Sequence, residues 1–186
     1  MPYYLRTDFT AQSRLVSALM GMYATLGGSA ASQRTKITPV VVFMAFSIEA
    51  YLNSIGTRVA PFWDIIERIA WRQKVEVLHS LAGTRPNWGE EPLRFVTELF
   101  RLRDRLAHGK PEQVRSGPYS SATEVNAALR SELEEPRWYR DLDRAWATSA
   151  KEKFRTAMLY LGALHGFHES DHLLSSTASI EHEADA

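Results

Sequence analysis

"TPVVVFMAFSIEAYLNSIG", Thr38 to Gly56, decides the fold. Its valines, Val40 to Val42, have the β-branched character of a strand. The rest reads differently. From Phe43 to Ile55 the run has helical length and good helix formers, and Gly56 closes it. Thr38 is placed as the N-cap and Pro39 at the first helical position, where its fixed φ is pre-organised. A helix here makes the chain all-α.

Working outward from that segment, the same period recurs on both sides. Leu15, Leu19, Met22 and Tyr23 recur at spacings of three and four in a helix expected over 8–26, with Asp8 as its cap. Gly27-Gly28-Ser29 ends it, and a small polar loop runs to about Thr38. Beyond Gly56, a helix is expected over 63–81, broken near Trp71, followed by the loop "AGTRPNWGEEP". Pro92 opens a helix that runs to His108, with Gly109 just past its end. A loop, "KPEQVRSGPYSS", then leads to a shorter helix over 123–133 and a last long one over 138–168, in one or two pieces. Strand signal is almost absent, and there is no internal repeat and no glycine-rich phosphate loop. The expectation is a single-domain, up-and-down bundle of five to six helices over 1–172. Residues 173–186, which include "SSTASIEHEADA", are expected to be a flexible acidic tail.

Composition bounds the function. A chain of 186 residues, 45% of them hydrophobic, suffices for one core and is short for two. Cysteine is absent, which removes disulfides, thiolate nucleophiles and thiolate metal sites. "MPYYLRTDF" lacks a secretory signal pattern, and the longest apolar run, "VVVFMAF", is too short to span a bilayer. A cytoplasmic protein with no membrane partner is expected. The net charge of zero hides an asymmetry: residues 1–115 hold 15 Lys+Arg against 10 Asp+Glu, and 116–186 hold 7 against 12. The basic part is a mild attraction for polyanions.

"RLRDRLAHGK", Arg101 to Lys110, is where chemistry concentrates. Phe95, Leu99, Leu102 and Leu106 form the apolar stripe of this helix, and Arg103 lies beside it. Arg103 and His108 are five residues apart, so on an ideal helix they diverge by roughly 140° and about 7.5 Å. They meet if the helix unwinds at Gly109, or they complete a site with a second copy of the same helix. Histidine suits a group that alternates between base and acid near neutral pH. Arginine offers a planar fork that fits a phosphate. The plain alternative is that these side chains only complement the helix dipole.

Arg103-Asp104-x-x-x-His108 resembles the R-polar-x(3–5)-H signature of the HEPN superfamily. "AFSIEAYLNSIG" resembles the family's earlier helix, with Glu49 and Asn53 one turn apart on one face. The resemblance covers roughly residues 8–170. It implies a small helical domain that forms a homodimer with the two motifs facing one cleft. It also implies a metal-independent endoribonuclease, of toxin–antitoxin, phage-defence or RNA-processing type, that needs no cofactor. In such enzymes the 2′-hydroxyl attacks the adjacent phosphorus and leaves a cyclic phosphate. By that resemblance His108 is the proton-transfer group and Arg103 stabilises the phosphorane. Asp104 fills a position where asparagine is commoner. Lys110 stands where some of these toxins carry a tyrosine that is adenylylated. RNA is the implied substrate, with a cognate antitoxin or a nucleotidyltransferase as partner.

Glu49 and Asn53 need partners if buried, and Arg103 is the expected one for Glu49. "LHGFHESDH" places His165, His168 and His172 at spacings of three and four, a weak candidate for zinc or nickel. Trp88, in a loop, is the one tryptophan considered for base stacking. Two alternatives to the ribonuclease stand: a non-catalytic module of the same type that binds RNA, nucleotide or a partner protein, and a helical metal-binding protein.

Overall fold

The computed structural model describes residues 3–130, 134–174 and 176–182. The segment that opened the sequence analysis is the middle of the longest helix. Eight α-helices occur among the described residues: α1 (Ala11–Ala24), α2 (Ala30–Val59), α3 (Trp63–Ile66), α4 (Trp71–Leu81), α5 (Leu93–His108), α6 (Ala122–Arg130), α7 (Arg137–Arg140) and α8 (Arg144–Ala163). Around α2 pack α1, α4, α5 and α8. The fold is therefore an all-α, single-domain bundle with α2 as its axis. Val40, Val41, Met44, Ile48, Leu52 and Ile55 are fully buried along α2 and meet Leu19, Leu78, Leu99 and Leu161 from the surrounding helices. By length and composition Ser32–Val59 is apolar enough to cross a membrane, but 56% of its apolar window is buried within the bundle. Its apolar character is spent on the core.

Both ends of α2 differ from expectation. The helix starts at Ala30, not Thr38: Ser29 is the cap, accepting from the Ser32 amide, and Pro39 lies inside the helix. Tertiary contacts explain the extra turns. Ile37 is fully buried. Lys36 Nζ donates to the carbonyls of Thr25 and Gly27 at 3.1 and 3.0 Å and ties the two helix ends together. At the other end the helix runs through Gly56 to Val59. Gly56 does not stop it. It is where the Trp63 indole lies on the backbone, because a Cβ there would meet Trp63 ring carbons at 2.0 Å.

The chain ends also differ. Tyr3–Phe9 is a strand, β1, and Ser176–His182 is a strand, β2. They pair antiparallel, with Leu5 opposite Ile180 and Phe9 opposite Ser176. Asp8 thus belongs to a strand, and α1 begins after Thr10, whose hydroxyl donates to the Leu174 carbonyl. The stretch expected as an acidic tail therefore supplies an ordered strand over Ser176–His182.

The remaining elements place α5. The expected break at Trp71 is real: α3 ends at Ile66 and α4 starts at Trp71. Trp71 stacks on Phe100 of α5 with centroids 4.2 Å apart and planes 13° apart. Leu93, Phe95, Val96, Leu99 and Phe100 are buried, so the first two turns of α5 are anchored in the core. Leu102 and Leu106 pack against it half-buried. The last turn projects outward. The last long helix, α8, ends at Ala163, with Gly166 at φ +72° in the turn that follows.

Candidate functional site at the end of α5

His108 is the last residue of α5 and is exposed. It lines a groove with Glu98, Arg101, Leu102, Asp104, Arg105, Gly109, Lys110 and Glu112. Gly109 is needed where it stands, although its φ of −56° is not left-handed. A Cβ there would sit 2.5 Å from the Arg105 carbonyl oxygen. The glycine thus lets the chain leave the helix close under its last carbonyls and turn Lys110 back along the groove.

Arg103 does not line that groove. Its Nε is 3.4 Å from Asp104 Oδ1, and its guanidinium carbon is 5.2 Å from the Phe100 ring centroid. The side chain is 22% exposed, and Nε is buried with no hydrogen-bond partner. The motif's two main residues therefore leave the helix in different directions. Asp104 is the acid that faces Arg103, which gives the carboxylate a partner beside an otherwise cationic helix end.

The expected supports are placed elsewhere. Glu49 does not pair with Arg103. Its Oε1 lies 3.6 Å from Lys74 Nζ of α4, and Lys74 is 2% exposed. A buried ammonium needs a counter-charge more than a half-buried guanidinium does, so the lysine takes the glutamate. Asn53 accepts a hydrogen bond from Trp63 Nε1 at 3.4 Å and so fixes the indole that lies on Gly56. Both residues hold α2 to its neighbours and do not reach the α5 groove. Trp88 is not open for stacking either: Arg72 covers its face at 4.1 Å and Trp71 meets it edge-on at 5.8 Å.

The three C-terminal histidines do not converge. Because α8 ends at Ala163, they never share a helical face. Among the described residues no group of His, Asp or Glu is arranged to hold a metal ion. His168 Nδ1 is 2.8 Å from Ser170 Oγ, and His172 meets Tyr51 edge-on at 6.2 Å. His165 tilts against Phe167. Burial lowers the pKa of both His165 and His172.

Two polar clusters escaped sequence reasoning. Arg58 holds Asp171 with two hydrogen bonds of 2.7 Å, and Tyr51 Oη donates to the same carboxylate at 2.9 Å. The Arg58 hydrogen bonds hold the Asp171 carboxyl below its ordinary range. His79, fully enclosed, has Nδ1 2.9 Å from Thr84 Oγ1 and Nε2 3.0 Å from Tyr160 Oη. Burial, with nearby His165, lowers its pKa. In each case the decisive contact is distant, Arg58 and Tyr51 with Asp171 and His79 with Tyr160, while Arg58 Nε and His79 Nδ1 keep local partners in Ser54 and Thr84. These are ties between elements, and no local pattern announces a partner a hundred residues away.

No protein-family profile, curated protein or solved structure matches the chain. The functional reading rests on the residues themselves.

Proposed function

We propose that the protein is a metal-independent endoribonuclease of HEPN type, cutting single-stranded RNA by 2′-hydroxyl attack. The observation that carries this reading is an exposed imidazole, His108, with no partner among the described residues, in a groove at a helix end that Arg101, Arg105 and Lys110 line together with Glu98, Asp104 and Glu112. Arg103, a turn earlier, supplies a guanidinium whose Nε lacks a hydrogen bond. In the reaction His108 takes the 2′-hydroxyl proton, and the freed oxygen bonds to phosphorus. The bond from phosphorus to the 5′-oxygen then breaks, and that oxygen takes the proton back from the His108 imidazolium. The products are a 2′,3′-cyclic phosphate and a 5′-hydroxyl. Arg103 stabilises the doubly charged phosphorane. Because Arg103 lies outside the groove of its own His108, the complete site is built by two copies, with Arg103 of one chain facing His108 of the other.

The same proposal carries a homodimer as the active unit, a cytoplasmic setting, and a cognate antitoxin or nucleotidyltransferase as the controlling partner. The divergence of Arg103 from His108 also favours a second reading, a module that binds RNA without cutting it. Incubation with labelled single-stranded RNA in excess EDTA separates them. Cleavage to cyclic-phosphate ends, with DNA of the same sequence left whole, supports the enzyme. Intact RNA in a stable complex supports the binding module. Cleavage that EDTA abolishes contradicts the proposed mechanism.

A further inference from the structure

We infer that the exposed face of α5 is a track for the phosphate backbone of single-stranded RNA, made by Arg101, Arg105 and His108 and continued by Lys110. The inference rests on the ribonuclease reading and names the residues that hold its substrate.

The three helical residues are spaced by four and three. On a helix they lie within about 60° of one another and climb by about 6 and then about 4.5 Å. Arg103 stands roughly 160° from Arg105, which is why it faces away. All four side chains, three of them cationic, line one groove. None of them has a carboxylate partner among the described residues.

The acids of the same groove are largely engaged elsewhere. Asp104 pairs with Arg103, and Glu112 accepts a hydrogen bond from Trp138 Nε1 at 3.0 Å. Glu98 alone remains, at the far end of the row from His108. Arg101, Arg105 and Lys110 therefore keep their donors for a ligand, and the ligand they suit is a chain of anions.

The aromatic side chains nearby restrict what is read. Arg105 lies over the Trp138 ring at 5.4 Å, and Tyr139 meets that ring edge-on at 5.6 Å. Among the described residues no aromatic side chain lines the groove, so the strand is held there through its phosphates. Binding is then independent of sequence and extends to single-stranded DNA. Cleavage stays confined to RNA.

The test uses the full chain and a labelled twelve-nucleotide RNA that is 2′-O-methylated throughout, so that binding is read without cutting. Arg101→Gln and Arg105→Gln should each weaken binding and reduce the slope of log affinity against log salt by about 0.7. Arg68→Gln, at an exposed arginine outside the groove, should change neither. Melting temperatures should be unaltered, and if Arg105→Gln disturbs Trp138 the Arg101 variant carries the test alone. Wild-type binding that both variants reproduce would overturn the track and leave the ribonuclease reading standing. A wild-type protein that neither binds this RNA nor cuts an unmodified one would overturn both. Competition by polyglutamate that matches unlabelled RNA charge for charge would overturn RNA as the ligand in favour of an acidic protein.

Discussion

Arg103 and His108, five residues apart on α5, face different surroundings: His108 stands in an open groove, while the Arg103 Nε is buried beside Asp104. The divergence follows from helix geometry, because α5 stays regular to His108 and does not unwind before Gly109. It separates the roles the two side chains can play and makes them separately testable.

His108→Ala should abolish RNA cleavage and leave the melting temperature unchanged, because the side chain is exposed. Arg103→Lys should also remove most activity, since an ammonium cannot reproduce the guanidinium fork. Leu99→Ala should do the reverse. It empties a fully buried site and should cost about 2–5 kcal/mol in stability. Denaturant unfolding alongside a cleavage assay reads both effects. Full activity in His108→Ala would remove that residue from the mechanism.

Two glycine-to-alanine changes should move stability in opposite directions. At Gly56 the new methyl would meet the Trp63 ring at 2.0 Å, and overpacking should cost about 1–3 kcal/mol. At Gly21, in α1, nothing lies within 4 Å of a new Cβ. There the alanine should gain up to about 1 kcal/mol from helix propensity. Thermal melts of both variants check the pair.

Much of this was legible in the sequence, and the failures share a cause. The break at Trp71, the span of α5 and the helical reading of 43–55 follow from local period and punctuation. The start of α2 does not, because Lys36 and Ile37 make a helix of an expected loop only through contacts with α1 and the core. The Lys74–Glu49 and Arg58–Asp171 pairs were equally invisible, since each joins different elements. The strands at the two ends stabilise each other, and neither is persuasive alone. The candidate site was visible because its residues are neighbours in sequence. The face shared by Arg101 and Arg105 is less legible, because only the folded groove distinguishes them from ordinary dipole-complementing arginines.

Asp171→Asn should destabilise the fold at neutral pH by about 1–3 kcal/mol, the range for a lost charged hydrogen bond partly screened by solvent at Arg58. The sign of its pH dependence is fixed. The folded-state pKa of Asp171 is lowered, first by its Arg58 hydrogen bonds. Its contribution is therefore complete above the unfolded carboxyl value of about 4 and is lost as pH falls through the folded value below it. The gap between wild type and variant, measured by denaturant unfolding, should be wide at pH 7 and close in strong acid.

The buried histidines should give a second acid-sensitive window at higher pH. Burial lowers the folded-state pKa of His79, His165 and His172. The unfolded chain takes up protons first as pH falls through about 6.5, so stability should decline from there downward. Melting temperature should drop between pH 7.5 and 5.5, and His79→Gln should flatten that slope. A slope left unchanged by the substitution would show that His79 does not titrate on unfolding.

The most direct measurement is complementation between two inactive proteins. Arg103→Ala retains His108, and His108→Ala retains Arg103. Each alone should fail to cut single-stranded RNA in EDTA. Mixed under conditions where subunits exchange, they form heterodimers in which the intact Arg103 of one chain faces the intact His108 of the other. The account predicts that cleavage returns on mixing, with cyclic-phosphate ends. Cleavage that stays at background, while labelled subunits demonstrably exchange, would contradict the two-chain ribonuclease site.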